Sequence, residues 1–155
     1  MEGTETAVLA FVFSAKYHPP YGLSRKPELQ YAAPEFRVPS MKMTVYHNPR
    51  CSKSRAAVQL LEDRGVALRI VEYLKEPPDA KTLKGLLAKL RLTPRDIIRK
   101  SEPVYRDLGL EDPDLSAGAL IKAMTANPIL IERPIVVAGA RAVVGRPPER
   151  VLELL

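Results

Sequence analysis

The single cysteine of the chain, Cys51, is the residue whose type and surroundings are best suited to chemistry. Strand formers alternate before it at 43–46, and good helix formers follow it from Ala56. We therefore predict that the thiol lies on the first turn of a helix. Unpaired backbone N–H groups and the positive end of the helix dipole favour a nucleophilic thiolate there. Further donors or positive charges lie close by in the sequence, at His47, Arg50, Lys53 and Arg55.

A lone free cysteine is more often a small buried apolar residue than a nucleophile. The polar and cationic neighbours of Cys51 favour the nucleophile, because a core cysteine would lie within the apolar period of the helix and this one precedes it. One thiol excludes an intramolecular disulfide and an all-thiolate metal site. Ser54 occupies the position of a resolving thiol, so a redox cycle needs an external thiol such as glutathione or a small redox protein. An unpaired cysteine also indicates a reducing compartment, and we predict a cytoplasmic protein.

The composition is typical of a soluble chain with one core, at 155 residues, 46% hydrophobic and 27% charged. Residues 1–40 differ from the rest, since they contain five of the 15 prolines and six of the nine aromatic residues. Their charges cancel, so the net charge of +6 comes from 41–155. Their apolar stretch at 6–15 follows two glutamates, which is atypical of a signal peptide. We predict that 1–40 are a disordered extension or the product of an over-long start assignment, and that 41–155 form the domain.

The order of the predicted elements indicates the fold class. We predict strands at 43–47, 68–73, 134–137 and 142–144, and helices at about 52–64, 79–90, 102–108 and 115–126. Thr93 and Pro94 open a further short helix that reaches Arg99, and Pro147 opens a last helix that continues to Leu154. This order is βαβ, a helical insert and ββα. It predicts an α/β, thioredoxin-like fold with a mixed sheet flanked by helices.

Three arginines lie at the ends of predicted elements, namely Arg99, Arg133 and Arg146. In the predicted fold, the start of the first helix and the loop before the third strand lie at one edge of the sheet. Arginine presents planar, paired donors that suit a tetrahedral oxyanion, and it stays charged. Spacing alone favours solvated surface charges, which most arginines in a chain of net charge +6 are. Convergence on the thiolate would instead form an anion pocket whose ligand the sulfur can attack.

From about Met43 to its C-terminus, the chain resembles the glutaredoxin-coupled arsenate reductases. The resemblance covers about three quarters of the chain, and the motifs occur in the order of the family. They are residues 46–55 (YHNPRCSKSR), 72–74 (EYL), 98–100 (IRK), 127–137 (NPILIERPIVV) and 145–149 (GRPPE).

The resemblance implies a role for each matching residue. Cys51 would be the nucleophile that attacks arsenate and holds it as an arseno-thiol adduct, and His47 would favour its thiolate. The oxyanion and its reduced intermediates would be held by Arg99, Arg133 and Arg146. The sulfur would be oriented or hydrogen-bonded by Asn48, Ser54 and Arg55. Glutathione would act as co-substrate, glutaredoxin would supply the reducing step, and no metal or bound cofactor would be needed.

The sequence excludes one alternative and leaves others open. Arsenate reductases with the low-molecular-weight phosphatase loop need Cys-x5-Arg, and Ala57 occupies the required position. A glutathione-dependent thiol oxidoreductase acting on disulfides or peroxides remains possible, although it does not need three oxyanion ligands. A non-enzymatic redox regulator of this fold, related to a branch that binds RNA polymerase, would typically contain C-x-x-C, and Ser54 replaces the second cysteine. Three aromatic residues and no basic cluster in 41–155 predict no nucleic-acid partner, and we predict no membrane partner.

Overall fold

The computed structural model describes residues 42–155, and the predictions for residues 1–40 lie outside them. The strands are β1 (Met43–His47), β2 (Leu68–Glu72), β3 (Ile135–Ala138) and β4 (Arg141–Val144). The α-helices are α1 (Ser52–Glu62), α2 (Ala80–Leu90), α3 (Pro94–Ile97), α4 (Pro103–Asp107) and α5 (Ala117–Ala126). Two 3-10 helices, Pro128–Leu130 and Pro148–Leu154, complete the element order. Within residues 42–155, no helix is long and apolar enough to cross a membrane.

The four strands form one mixed sheet in the order β2-β1-β3-β4. β1 pairs with β2 in parallel, while the β1–β3 and β3–β4 pairs are antiparallel. The parallel pair needs a crossover connection, which α1 provides, and the antiparallel pair β3–β4 needs only the tight turn at Gly139. The predicted α/β, thioredoxin-like fold with a mixed sheet is confirmed.

The sheet is covered on both faces, and the strand alternation shows which residues belong to which layer. On one face, Met43 and Val45 of β1 are fully buried in a cluster with Ala57 and Leu61 of α1 and with Val151. On the other face, a larger cluster joins the sheet to the helical insert between β2 and β3. Its members include Tyr73, Leu83, Ile97, Leu120, Met124 and Ile135. Each fully buried aliphatic side chain contributes about 1.5–3 kcal/mol of transfer free energy, so these layers hold the strand ends in place.

The predicted elements differ from the structure at two places. The last helix is a 3-10 helix, in which Arg150 and Leu155 donate their N–H groups to the carbonyl groups three residues earlier. This conformation eclipses residues three apart, so Val151 and Leu154 are both buried on one side.

The second difference concerns Arg99, which does not close α3. The helix ends at Ile97, and Ile98 is extended and forms an antiparallel bridge with Ile131. The Arg99 N–H donates to Leu130 O at 2.8 Å. Backbone pairing with a distant segment therefore replaces the helical hydrogen bonds, and it places Arg99 beside residues 130–132.

Candidate active site

Four segments meet at one edge of the sheet, and the strand register explains why. β1 and β2 are parallel, so the chain leaves the sheet at this edge after both His47 and Glu72. β3 enters the sheet here, with Ile135 beside Tyr46, and β4 leaves it here, because Val144 lies opposite Ile135. The residues that follow or precede these strand ends are Cys51, Tyr73, Arg133 and Arg146.

The loop that carries Cys51 is held by hydrogen bonds from its own residues. The Cys51 N–H donates to Asn48 O at 3.0 Å, and the Arg50 N–H donates to Asn48 Oδ1 at 2.9 Å. Arg55 Nη1 donates to Pro49 O at 2.8 Å. Cys51 is the N-cap of α1 and is half-buried, so its sulfur lies among the free N–H groups of the first helical turn. Arg55 therefore supports the loop, because its guanidinium donates to Pro49 O rather than to the sulfur.

His47 contacts Ser54 and so helps to hold the loop that carries Cys51. Its Nδ1 lies 2.8 Å from Ser54 Oγ, and Ser54 Oγ also accepts the Asn48 N–H at 3.1 Å. Ser54 is fully buried and Asn48 is 6% exposed. Burial lowers the pKa of the His47 imidazole, and Arg55 lowers it further while Glu72 opposes both. The hydrogen-bond partner of the ring is thus Ser54 rather than the sulfur. The predicted effect of His47 on the thiolate would therefore act indirectly, through the hydrogen bonds that join His47, Ser54 and Asn48.

The pKa of the Cys51 thiol lies below its ordinary value although burial raises it. The backbone N–H groups of Ser54 and Lys53 lower this pKa, and the charges of Arg133 and Arg146 lower it further. Both causes act on the thiolate, because donors and positive charges stabilise the ionised sulfur. The site therefore favours the nucleophilic form of the cysteine.

Arg146 and Arg133 present guanidinium groups to this sulfur. Arg146 Nη2 lies 3.9 Å from Cys51 Sγ, and Arg146 Nε donates to Arg133 O at 3.0 Å. The Nε and Nη1 atoms of Arg133 are buried and have no hydrogen-bond partner within residues 42–155. A buried cation with unused donors is costly unless an anion pairs with it. The two unpaired donors make Arg133 suited to an anionic ligand, and its binding role stays a prediction.

Arg99 is the third guanidinium, and acidic residues accompany it. Arg99 Nη1 forms an ion pair with Glu102, and Arg99 Nε lies 3.8 Å from Glu132 Oε1. Burial lowers the pKa of the Arg99 guanidinium, and the neighbouring charge of Arg133 lowers it further. Arg99 therefore lies close to Arg133, and planar paired donors of this kind suit a tetrahedral oxyanion.

Residues 46–154 match the family model of the ArsC family. The chain belongs to the ArsC family. Over 115 residues it is 50% identical to the uncharacterized protein YfgD of Escherichia coli K12. This match covers 74% of this chain and 97% of that protein. It is 47% identical to an arsenate reductase of Neisseria meningitidis serogroup A, with 74% and 98% coverage. The solved structure of an arsenate reductase from Vibrio cholerae matches with a TM-score of 0.73 and 47% identity, over 75% of this chain and 99% of that one.

The ArsC-family site brings together most of the residues predicted from the sequence, in two groups. Cys51, Arg133 and Arg146 face one another, with Arg99 adjoining them. The second group, His47, Asn48, Ser54 and Arg55, holds the loop instead. The roles implied for all of these residues in catalysis or binding stay predictions. So does the absence of a metal, although no metal-like cluster of His, Cys, Asp and Glu occurs among residues 42–155.

Three further residues belong to the ArsC-family site and were not predicted. Glu102 and Glu132 pair with its arginines, and Tyr73 is buried beside them. Burial raises the pKa of the Tyr73 phenol, whereas the charges of Arg133 and Arg99 lower it. Tyr73 directly follows the end of β2, and Glu132 directly precedes the predicted site residue Arg133. These positions could have indicated from the sequence that both residues belong to the site.

Proposed function

We propose that the chain is an arsenate reductase that uses glutathione and glutaredoxin. The observation that supports this most directly is the anion pocket around the thiolate, where Arg146 Nη2 lies 3.9 Å from Cys51 Sγ and Arg133 has unused buried donors. The name arsenate reductase of the Neisseria meningitidis relative supports the choice of oxyanion. The need for a reduced thiol further leads us to propose a cytoplasmic location.

The proposed first step joins sulfur to arsenic. The Cys51 thiolate donates an electron pair to form an S–As bond, one As–O bond breaks, and that oxygen leaves as water after taking up protons. Arsenic stays in oxidation state +5 in this step. Arg99, Arg133 and Arg146 would bind the remaining oxygens, because fixed guanidinium donors stabilise negative charge that moves onto oxygen.

The proposed reducing steps need two external thiols, because the chain contains one cysteine. A glutathione thiol forms a second S–As bond with loss of another water. The thiolate of glutaredoxin then attacks the glutathione sulfur, and the electron pair of the breaking S–As bond moves to arsenic, which becomes +3. The products are the mixed disulfide of glutaredoxin and glutathione and a Cys51–arsenic(III) adduct. Water releases arsenite from this adduct and restores the thiol.

A cleft of about 250 Å³ beside the Cys51 loop supports the proposed use of glutathione. Pro49 and Leu74 give it apolar walls, Arg50 places a positive charge on its lining, and Lys75 forms an ion pair there with Glu72. Glutathione carries two carboxylates, which suit such cations. Arg50 directly precedes Cys51, so a peptide in this cleft would lie against the loop that carries the sulfur.

The test is arsenate-dependent oxidation of NADPH in the presence of glutathione, glutathione reductase and a glutaredoxin. Wild-type protein is compared with Cys51→Ser, which keeps a polar group of similar size. We expect turnover that saturates with arsenate, disappears in Cys51→Ser and disappears when glutaredoxin is omitted. Saturable turnover that persists without glutaredoxin would keep the reductase and overturn its proposed coupling.

Absence of turnover together with rapid alkylation of Cys51 at pH 7 would overturn the arsenate proposal. The same assay with a mixed disulfide of glutathione or a peroxide in place of arsenate would then test the second enzymatic class, a glutathione-dependent thiol oxidoreductase. Circular dichroism of both proteins ensures that lost activity does not reflect lost folding.

A further inference from the structure

A single carboxylate oxygen connects the three arginines of the site. Glu132 Oε1 lies 2.8 Å from Arg146 Nε and 3.8 Å from Arg99 Nε, and it accepts the backbone N–H of Arg133 at 3.1 Å. The side chain of Glu132 is 25% exposed, so solvent screens these contacts only in part. No other carboxylate among residues 42–155 pairs with both Arg99 and Arg146.

Backbone pairing fixes the place of Glu132. Its N–H donates to Ile97 O at 2.8 Å, and the Arg99 N–H donates to Leu130 O at 2.8 Å. These two bonds flank the antiparallel bridge between Ile98 and Ile131. The carboxylate is therefore held at its backbone by a paired segment, so it can act as a fixed point for more flexible guanidinium groups.

The contact with Glu132 uses one edge of the Arg146 guanidinium and leaves the other edge free. Nε forms an ion pair with Glu132 Oε1 and donates its hydrogen bond to Arg133 O, while Nη2 lies 3.9 Å from Cys51 Sγ. A guanidinium is planar, so holding its Nε between the Glu132 carboxylate and the Arg133 carbonyl restricts where its Nη groups point. Without the carboxylate, Arg146 Nε keeps only the hydrogen bond to the carbonyl of Arg133. That carbonyl is uncharged, so it holds the guanidinium less strongly than the ion pair does.

We propose that Glu132 is a positioning residue, which holds Arg146 by its Nε so that the Nη groups face the Cys51 thiolate and the bound oxyanion. The part of this proposal that concerns arsenate rests on the proposed function. The part that concerns the thiolate does not, because it can be measured without any substrate.

Positioning and simple charge proximity have opposite consequences for Cys51. Removal of a nearby negative charge, with the arginine unmoved, would stabilise the thiolate and lower the pKa of the thiol. Removal of the group that orients Arg146 would take a positive charge away from the sulfur and raise the pKa. The other groups that face Cys51 are Arg133, Tyr73 and the N–H groups of Lys53 and Ser54, and these are unchanged in the variants below.

The experiment measures the rate of Cys51 alkylation by iodoacetamide between pH 5 and 9 in the full chain. We expect Glu132→Ala and Glu132→Asp to raise the apparent pKa by about one unit, which lowers the rate at low pH about tenfold. The shorter aspartate keeps the charge but cannot reach Arg146. We expect a rise in Glu132→Gln as well, because the neutral amide no longer forms the ion pair with the Arg146 guanidinium. In an Arg146→Ala background, Glu132→Ala should cause no further rise.

A matched control removes an acidic residue from the other end of α1. Glu62 is exposed and is separated from Cys51 by about 15 Å of helix. Glu62→Ala should leave the alkylation profile unchanged. A lower or unchanged pKa in folded Glu132→Ala and Glu132→Asp, or an equal rise with and without Arg146, would overturn the positioning role. Failure of arsenate turnover in wild-type protein would leave these readouts intact, so the two proposals can fail separately.

Discussion

Arg146 Nη2 lies 3.9 Å from Cys51 Sγ although 95 residues separate the two in sequence. The β3–β4 hairpin makes this approach possible, because Val144 lies opposite Ile135 and the Gly145 N–H donates to Pro134 O at 2.8 Å. A guanidinium at the end of one hairpin thereby stabilises a thiolate at the start of a helix. The proposed nucleophile and the proposed anion pocket therefore both depend on the same strand register.

Arg99→Ala should separate oxyanion binding from thiol reactivity. Arg99 contacts Glu102 and Glu132 and adjoins Arg133, whereas Arg146 reaches the sulfur. We expect kcat/KM for arsenate to fall about 10²–10³-fold, as on loss of one charge-stabilising donor. The rate of Cys51 alkylation should change less than about twofold. Coupled turnover and iodoacetamide kinetics on the same samples measure both. An equal loss in both would show that Arg99 supports the loop rather than the oxyanion.

Ser54→Ala should destabilise the domain although it removes only a single oxygen atom. Ser54 Oγ is fully buried, accepts the Asn48 N–H and contacts His47 Nδ1. Its loss leaves a buried N–H group without a partner, which costs about 1–3 kcal/mol of unfolding free energy. Urea unfolding checks this value. Ser52→Ala is the matched control, since Ser52 lies on the same helical turn and is exposed. It should change the free energy by less than about 0.5 kcal/mol. Equal effects would exclude the buried hydrogen bonds as the cause.

His47 should make the stability of the domain fall in mild acid. Burial lowers the pKa of His47 in the folded state below its ordinary value of about 6.5. Above that value the imidazole is neutral in both states, and its contribution to stability is fully present. As the pH falls further, the unfolded state binds the proton first, so stability is lost until the folded pKa is passed.

The measurement for His47 is urea unfolding of wild type and His47→Asn between pH 7.5 and 5. The difference in unfolding free energy between the two proteins should shrink as the pH falls. Comparison with a variant, rather than the wild-type slope alone, isolates His47 from the carboxylates and from His18. A difference that stays constant across this range would contradict the depressed pKa.

Gly145→Ala should lower stability and disturb the anion pocket. A Cβ at Gly145 would lie 2.9 Å from Pro134 Cγ and 3.0 Å from Val151 Cγ1, so one of these groups must move. Overpacking of this kind costs about 1–3 kcal/mol, and the shift would displace the adjacent Arg146. The control is Gly85→Ala on α2, where a Cβ meets nothing within 4 Å. That variant should be more stable than wild type by up to about 1 kcal/mol. Thermal and urea unfolding compare the two, and a neutral Gly145→Ala would contradict the close approach.

Local patterns were sufficient for much of the architecture. Alternating residues at 43–47 form β1, and Thr93 with Asp96 forms the capping box of α3. The limits of these patterns appear where distant segments compete with local preference. Arg99 was predicted at a helix end, but pairing of Ile98 with Ile131 ends α3 early. The last segment was predicted only as a helix, and burial of residues three apart makes it 3-10.

The sequence by itself determined that one thiol lies at the start of a helix among cationic residues, because helix and strand preferences are properties of neighbouring residues. It also indicated that Arg133 precedes a strand and that Arg146 follows one, but it placed Arg99 wrongly at a helix end. Only the tertiary structure decided that Arg133 and Arg146 face the sulfur, that Glu132 joins Arg146 to Arg99, and that His47 contacts Ser54. These relations depend on strand register and on pairing between residues far apart in the chain. Spacing along the sequence carries no measure of either.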